Sequence, residues 1–281
     1  MLHNRFVKRP NFIWVTGFWI IFSILVRPGW LAFSAGTVLC LVLMLLKAPG
    51  EFWYCLAMLP VRAHARERWL VRSVSYQPGI PYPYTGLGVI YSRRKQWAVA
   101  IPALKRGVAL YGRKCPLEFK ILLATAYREH GEDHLAIAQL EDVAATHPKS
   151  SDVLYHLAVC HFRLGNLSSA LEAASKSHAL NPDAVRPLMI VAHVHFRTGD
   201  FSAAKRDFEW LVRTLPQAAE SLYWLGRAEL ALGQAQAAAE HLRLALERLG
   251  PHEHASNIPL QDVRHWLSAA TGVRVQQAPT A

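Results

Sequence analysis

Four glycines, Gly131, Gly165, Gly199 and Gly233, recur at intervals of 34 residues, and so do three prolines, Pro148, Pro182 and Pro216. Glycine tolerates the left-handed backbone of a tight turn and proline interrupts a helix. Each period therefore reads as two helices, a turn between them and a break before the next unit. The units share residues as well as spacing: His161-Phe162-Arg163-Leu164-Gly165-Asn166 stands beside His195-Phe196-Arg197-Thr198-Gly199-Asp200. A lone helical hairpin cannot bury its own apolar face, whereas stacked hairpins bury a continuous one between them. Ala136, Ala170, Ala204 and Ala238, again 34 apart, are small enough to let facing helices approach, with Leu and Phe filling the spaces between. An all-α chain of stacked hairpins is the expectation.

These positions resemble the tetratricopeptide repeat, whose pattern runs W-x2-L-G-x2-Y, then A-x3-F, then P. About five units carry the likeness, over about 170 residues. Residues 81–114 offer Leu87-Gly88, Tyr91, Ala100 and Leu104, but lack the central glycine and hold two extra residues. Residues 117–150 offer Leu123-Ala124, Tyr127, Ala136, Leu140 and Pro148, and residues 151–184 offer Leu157-Ala158, His161, Ala170 and Pro182. Residues 185–218 supply Val191-Ala192, His195, Ala204, Phe208 and Pro216, and residues 219–250 supply Leu225-Gly226, Ala238, Leu242 and Ala245. The resemblance implies a right-handed tetratricopeptide-type solenoid whose concave surface, formed by the first helix of each hairpin, binds protein or peptide partners. Transferring the family's groove-facing columns nominates Arg128, Tyr155, Val159, Phe162, Met189, His193, Phe196, Tyr223 and Arg227. The set is aromatic with scattered positive charge, and it lacks the Lys and Asn residues with which some members hold a terminal carboxylate. After the last unit, Leu260, Val263, Trp266 and Leu267 make one helical stripe, so 251–271 reads as a cap for the stack and 272–281 as a disordered tail.

The N-terminal part differs in kind. The chain is 52% hydrophobic with mean hydropathy +0.12, values high for a wholly water-exposed protein. Residues 12–26 and 30–46 are uncharged and apolar, separated by Arg27-Pro28-Gly29, so residues 1–50 are read as a helical hairpin in a membrane, its helices about 11–27 and 30–47. Each run makes roughly 24 Å of helix against a hydrocarbon core of ~30 Å, which leaves both a spanning and a re-entrant hairpin open. A basic start before an apolar stretch also fits a cleaved signal peptide, although a second apolar run follows. Basic residues on both flanks, Arg5, Lys8 and Arg9 before and Lys47, Arg62 and Arg66 after, place both ends of a hairpin in the cytoplasm. Residues 51–80 are read as a basic and aromatic interfacial segment, or as core against the first repeat, followed by a proline-rich linker at Gln77–Pro83.

Charge supports that division. The formal net charge is +11. Residues 1–114 hold 16 Lys and Arg against 2 acids, whereas 115–250 hold 13 against 16. Basicity confined beside apolar runs suits anionic lipid headgroups, and nucleic acid is not an expected partner. No phosphate-binding loop, nucleophile elbow, dinucleotide fingerprint or HExxH is present, so no catalytic residue, metal site or cofactor is nominated. Among the 14 histidines, His193 and His195 point to different faces of a helix, and His161 and His195 occupy the column of Tyr127 and read as packing residues. The scattered Cys40, Cys55, Cys115 and Cys160 outline no disulfide framework.

The resulting expectation is a non-catalytic scaffold of the bacterial inner membrane with its repeats in the cytoplasm. Two alternatives stay open: an extracytoplasmic biogenesis chaperone similar to those of cytochrome c maturation, and a regulatory subunit of a membrane enzyme such as a polysaccharide synthase.

Overall fold

The computed structural model describes residues 42–59, 63–249 and 258–272. The two proposed membrane helices therefore lie outside the described residues, except for 42–47, which are helical. So do residues 250–257 and 273–281. Every regular element among the described residues is a helix, and no strand occurs among them. The chain divides into two compact units, residues 1–132 and residues 133–281.

The first unit contains α1 (Pro49–Ala57), α2 (Ala63–Tyr76), α3 (Pro81–Arg93), α4 (Trp97–Tyr111) and α5 (Leu117–Glu129), with a short 3-10 turn at Gly112–Lys114. Helices α1 and α2 pack as a hairpin, fastened at both ends by side chains that reach backbone carbonyls. At one end the Ser73 hydroxyl donates to the Gly50 carbonyl at 2.6 Å. At the other, Arg66 Nε donates to the Ala57 carbonyl at 3.0 Å. Ala57, Leu70 and Leu87 form the buried cluster, joined by Tyr54, Trp69 and Ile90. Residues 51–80 are thus two packed helices rather than a lone surface segment, although Met58 and Leu59 between them stay exposed. The expected linker at Gln77–Pro83 is also shorter than its three prolines suggested, because α3 starts at Pro81. Proline fits the first helical turn, where its missing N–H has no intrahelical acceptor to lose.

The second unit contains α6 (Asp133–Thr146), the hairpins α7 (Ser151–Arg163) with α8 (Leu167–Leu180), α9 (Val185–Thr198) with α10 (Phe201–Thr214) and α11 (Ala219–Ala231) with α12 (Ala235–Leu249), and a closing helix α13 (Leu260–Thr271). Each helix packs on the next, so the second helix of one hairpin meets the first helix of its successor. The sequence periods locate the close contacts. Gly165, Gly199 and Gly233 have φ of 80°, 84° and 75°, the left-handed conformation that a side chain disfavours. Ala136, Ala170, Ala204 and Ala238 are all 0% exposed. Gly226 lies so near α12 that an added Cβ would be 2.7 Å from Leu242 Cγ.

Ala158, Ala174, Leu188, Ala192, Ala204, Phe208, Leu211 and Leu225 form a continuous core through the middle hairpins. Fully burying a side chain such as Phe208 or Leu225 contributes about 1.5–3 kcal/mol. At the far end Val263 and Leu267 of α13 join Leu242, Ala245 and Leu249, covering the apolar side of α12 that has no further repeat.

Candidate aromatic face of the second unit

Helices α7, α9 and α11 are the first helices of successive hairpins. On α7, Tyr155, Val159 and Phe162 are spaced i, i+4, i+7 and so share one face, as do Met189, His193 and Phe196 on α9. On α11 the corresponding face carries Glu220, Trp224 and Arg227. The side chains meet along a diagonal. The rings of Phe162 and His193 are 6.0 Å apart, and those of His193 and Trp224 are 4.8 Å apart. Each step advances 31 residues, one repeat less about one helical turn.

Two parallel diagonals replace a ring by a guanidinium. Arg186 stacks on Tyr155 at 4.8 Å, and Arg227 stacks on Phe196 at 5.0 Å. Both partners are again 31 residues apart. Arg197 lies over Phe162 at 4.9 Å and donates to its carbonyl at 3.1 Å. Arg227 has the most ring contacts: besides Phe196 it sits 4.7 Å from Trp224, 5.6 Å from Tyr223 and 4.5 Å from Trp266 of α13. Such stacking on a ring face is worth about 0.5–2 kcal/mol, more as water is excluded.

The sequence-nominated residues have unequal roles. Tyr155, Val159 and Phe162 are half-buried, and Met189 and Phe196, also half-buried, pack against the core of the middle hairpins. His193 is half-buried and held edge-on by Phe208 and Trp224. Burial without a compensating charge lowers its pKa to about 4, so the ring is neutral at physiological pH. Tyr223 does not fit the groove assignment. It is only 4% exposed and belongs to the cluster that α13 covers, with burial as the first cause raising its phenol above the usual range. Arg128 lies in the first unit, at the end of α5, with its guanidinium 2.8 Å from the Glu129 carboxylate.

The column reading missed Arg186, Arg197, Trp224 and Trp266. A search for aromatic and basic residues 31 apart finds the pairs 155/186, 193/224 and 196/227 from sequence. Trp266, which comes from outside the repeats, carries no such signal.

The opposite edge of the same helices holds histidine–carboxylate hydrogen bonds. His195 Nδ1 meets Asp207 at 2.7 Å, and one repeat later Glu229 meets His241 Nδ1 at 2.7 Å, the same crossing with its partners exchanged. Glu229 is 2% exposed and lies 3.5 Å from Lys205 as well. Its hydrogen bond is the main cause holding the His241 pKa above the ordinary imidazole value. His161, in the column of His195, has Ala173 where His195 has Asp207, and its buried Nδ1 makes no hydrogen bond.

Comparison with known proteins agrees with the repeat architecture. Residues 121–185 and 192–254 match the family model described as tetratricopeptide repeat. No curated protein matches the chain. Among solved structures, a tetratricopeptide repeat protein from Parabacteroides merdae is similar with a TM-score of 0.61 at 16% identity, covering 79% of this chain and 98% of its own. PilW, a type IV pilus biogenesis factor, gives 0.62 at 16% identity, covering 77% and 99%. YrrB, described as having an unusual peptide-binding site, gives 0.52 at 15% identity, covering 66% and 94%. At these identities the likenesses establish the fold alone, and no catalytic family is indicated. With its glycine turns, its buried alanine column and the family match in agreement, the repeat region of this chain belongs to the tetratricopeptide-repeat family.

Proposed function

We propose that this protein is a non-catalytic scaffold, held at a bacterial inner membrane by its N-terminal segment, that recruits protein partners to an envelope or inner-membrane assembly through the aromatic face of α7, α9 and α11. The observation that carries the reading is the set of half-buried rings Tyr155, Phe162 and Phe196 on the shared face of a rigid helical stack. Rigid, partly exposed aromatic groups bury much area on contact and lose little side-chain entropy, which makes them effective anchors. The other half of the proposal rests on the apolar runs at 12–26 and 30–46 and on the excess of Lys and Arg over acids before residue 115. Among the described residues no helix is long and apolar enough to cross a membrane. Val42, Leu45 and Leu46 do continue the apolar run into the first described helical turn, where they are exposed.

The test is a comparison of cross-linked partners of the detergent-solubilised full chain with those of a Tyr155→Ala, Phe162→Ala, Phe196→Ala variant. Loss of a defined partner subset supports recruitment through this face, and identical lists sink it. Resistance of the protein to alkaline carbonate extraction, abolished when residues 1–47 are deleted, tests attachment. A second reading, an extracytoplasmic assembly factor, is favoured by the likeness to PilW. Alkaline phosphatase activity in a C-terminal fusion, with a silent cytoplasmic reporter, would select it over a cytoplasmic repeat domain.

A further inference from the structure

The cation at the end of the aromatic face is unusual in its surroundings. Arg227 is half-buried, and four rings lie within 5.6 Å of its guanidinium carbon. Its buried Nε makes no hydrogen bond, and its Nη1 reaches the Tyr223 hydroxyl only at 3.5 Å. Among the described residues no carboxylate forms an ion pair with it, although Asp262 lies on α13 nearby and Glu229 on the other side of α11 is committed to Lys205 and His241. An arginine is always charged, and withdrawing that charge from water without a counter-ion is costly. Rings satisfy the faces of a guanidinium, while its in-plane N–H groups still require acceptors.

We infer that Arg227 and Arg197 form an anion-accepting row, and that the partner seated on this face is an acidic peptide segment whose carboxylates meet the guanidinium edges while its apolar side chains contact Phe162 and Phe196. Charge complementarity decides the occupant. Of the three cations over the rings, Arg186 is paired with Asp152 at 3.7 Å at the outer end, whereas neither Arg197 nor Arg227 has a carboxylate partner among the described residues. Arg197 is exposed and makes its described hydrogen bond to a neutral carbonyl, so its charge is also not neutralised within the unit. A basic segment would face unscreened repulsion here. An acidic one offers the in-plane N–H groups of Arg227 charge-assisted hydrogen bonds. This inference rests on the proposed recruiting role of the face and adds the chemistry of the partner.

The experiment is fluorescence anisotropy of three labelled peptides with the purified full chain: one alternating Leu and Phe with Glu, one with Gln in place of Glu, and one with Lys. The Glu peptide is expected to bind at least tenfold tighter than the Gln peptide, with the Lys peptide not binding and affinity falling as salt rises. Arg227→Gln should remove most of the Glu preference and Arg197→Gln part of it. The second variant, together with the salt slope, keeps the test decisive where Arg227→Gln compromises folding. Equal binding of Glu and Gln peptides would overturn the acidic assignment while leaving the recruiting face intact. Loss of all peptide binding, alongside an unaltered partner list in the triple-alanine variant, would overturn both. Arg227-dependent binding to phosphatidylglycerol vesicles without binding of the Glu peptide would assign the row to lipid headgroups and also overturn the inference.

Discussion

The hairpins α3–α4 and α11–α12 follow one backbone plan with different chemistry. In both, a glycine in the first helix admits a leucine of the second: a Cβ on Gly88 would be 2.4 Å from Leu104 Cδ2, and one on Gly226 would be 2.7 Å from Leu242 Cγ. One turn later in the first helix the two part. Tyr91 and Ala103 hold these positions in α3–α4 and both pack against the Leu87 cluster, whereas Glu229 hydrogen-bonds His241 across α11–α12. The turns differ too, with Lys95 at φ 57° where Gly233 stands at φ 75°. The close approach of the helices is what the hairpin requires, and it is met by glycine both times. The crossing and the turn accept substitutes at a cost.

Removing the Glu229 crossing should produce the largest effect. Glu229→Ala strands Lys205 and His241 beside a vacated buried site and is expected to cost about 3 kcal/mol, read from chemical unfolding. An effect below ~1 kcal/mol would show that the crossing is no stronger than an exposed pair.

Acidification should distinguish the units next. His193 titrates at 6.5 when unfolded and at about 4 in place, so the unfolded state binds the extra proton between these values and the native state loses stability as pH falls through that window. At 1.36 kcal/mol per pKa unit the loss approaches about 3 kcal/mol by pH 4, and it should vanish in His193→Phe. His241 has the opposite sign. Its raised pKa lends stability that is complete below 6.5 and lost as pH rises through the folded value. The Tyr91 and Ala103 crossing contributes to neither limb. Hydrogen exchange resolved to α3–α4 and to α9–α12 as a function of pH would separate the two behaviours.

The glycine contacts should behave alike. Gly88→Ala and Gly226→Ala are each expected to cost about 2 kcal/mol through overpacking. Gly226 should be the less forgiving, because its added Cβ also meets the Ala238 carbonyl at 3.1 Å. The smallest change is in the turns: Lys95→Gly should stabilise by about 1 kcal/mol and Gly233→Lys should destabilise by a similar amount. Thermal melts of the two variants moving in the same direction would break the comparison.

The existence of the hairpins was legible because periodic glycines and alanines serve local needs that recur from Gly131 to Ala238, while the first repeat meets its turn with Lys95 instead. Ala136, Ala170, Ala204 and Ala238 could be read as a buried column without a structure, and so could the stripe of Val263 and Leu267 in α13. The proline-rich stretch misled because a helix start and a linker use the same residues, and only the packing of α3 distinguishes them. The candidate site was half legible. Columns 34 apart picked out residues that share one face on α7 and one on α9, but on α11 they selected Tyr223, which α13 covers, and passed over Trp224.

The amino-acid sequence by itself determined where the chain turns and which positions must be small, since those follow from backbone sterics within one repeat. Only the tertiary structure decided which side chains meet. Contacts between successive first helices run along a diagonal of 31 residues rather than along the 34-residue repeat. That diagonal brings Trp224 to His193 and Arg227 to Phe196. Trp266, from beyond the repeats, completes the surroundings of Arg227 through a contact that no periodicity encodes, because it depends on how α13 seats against the last hairpin.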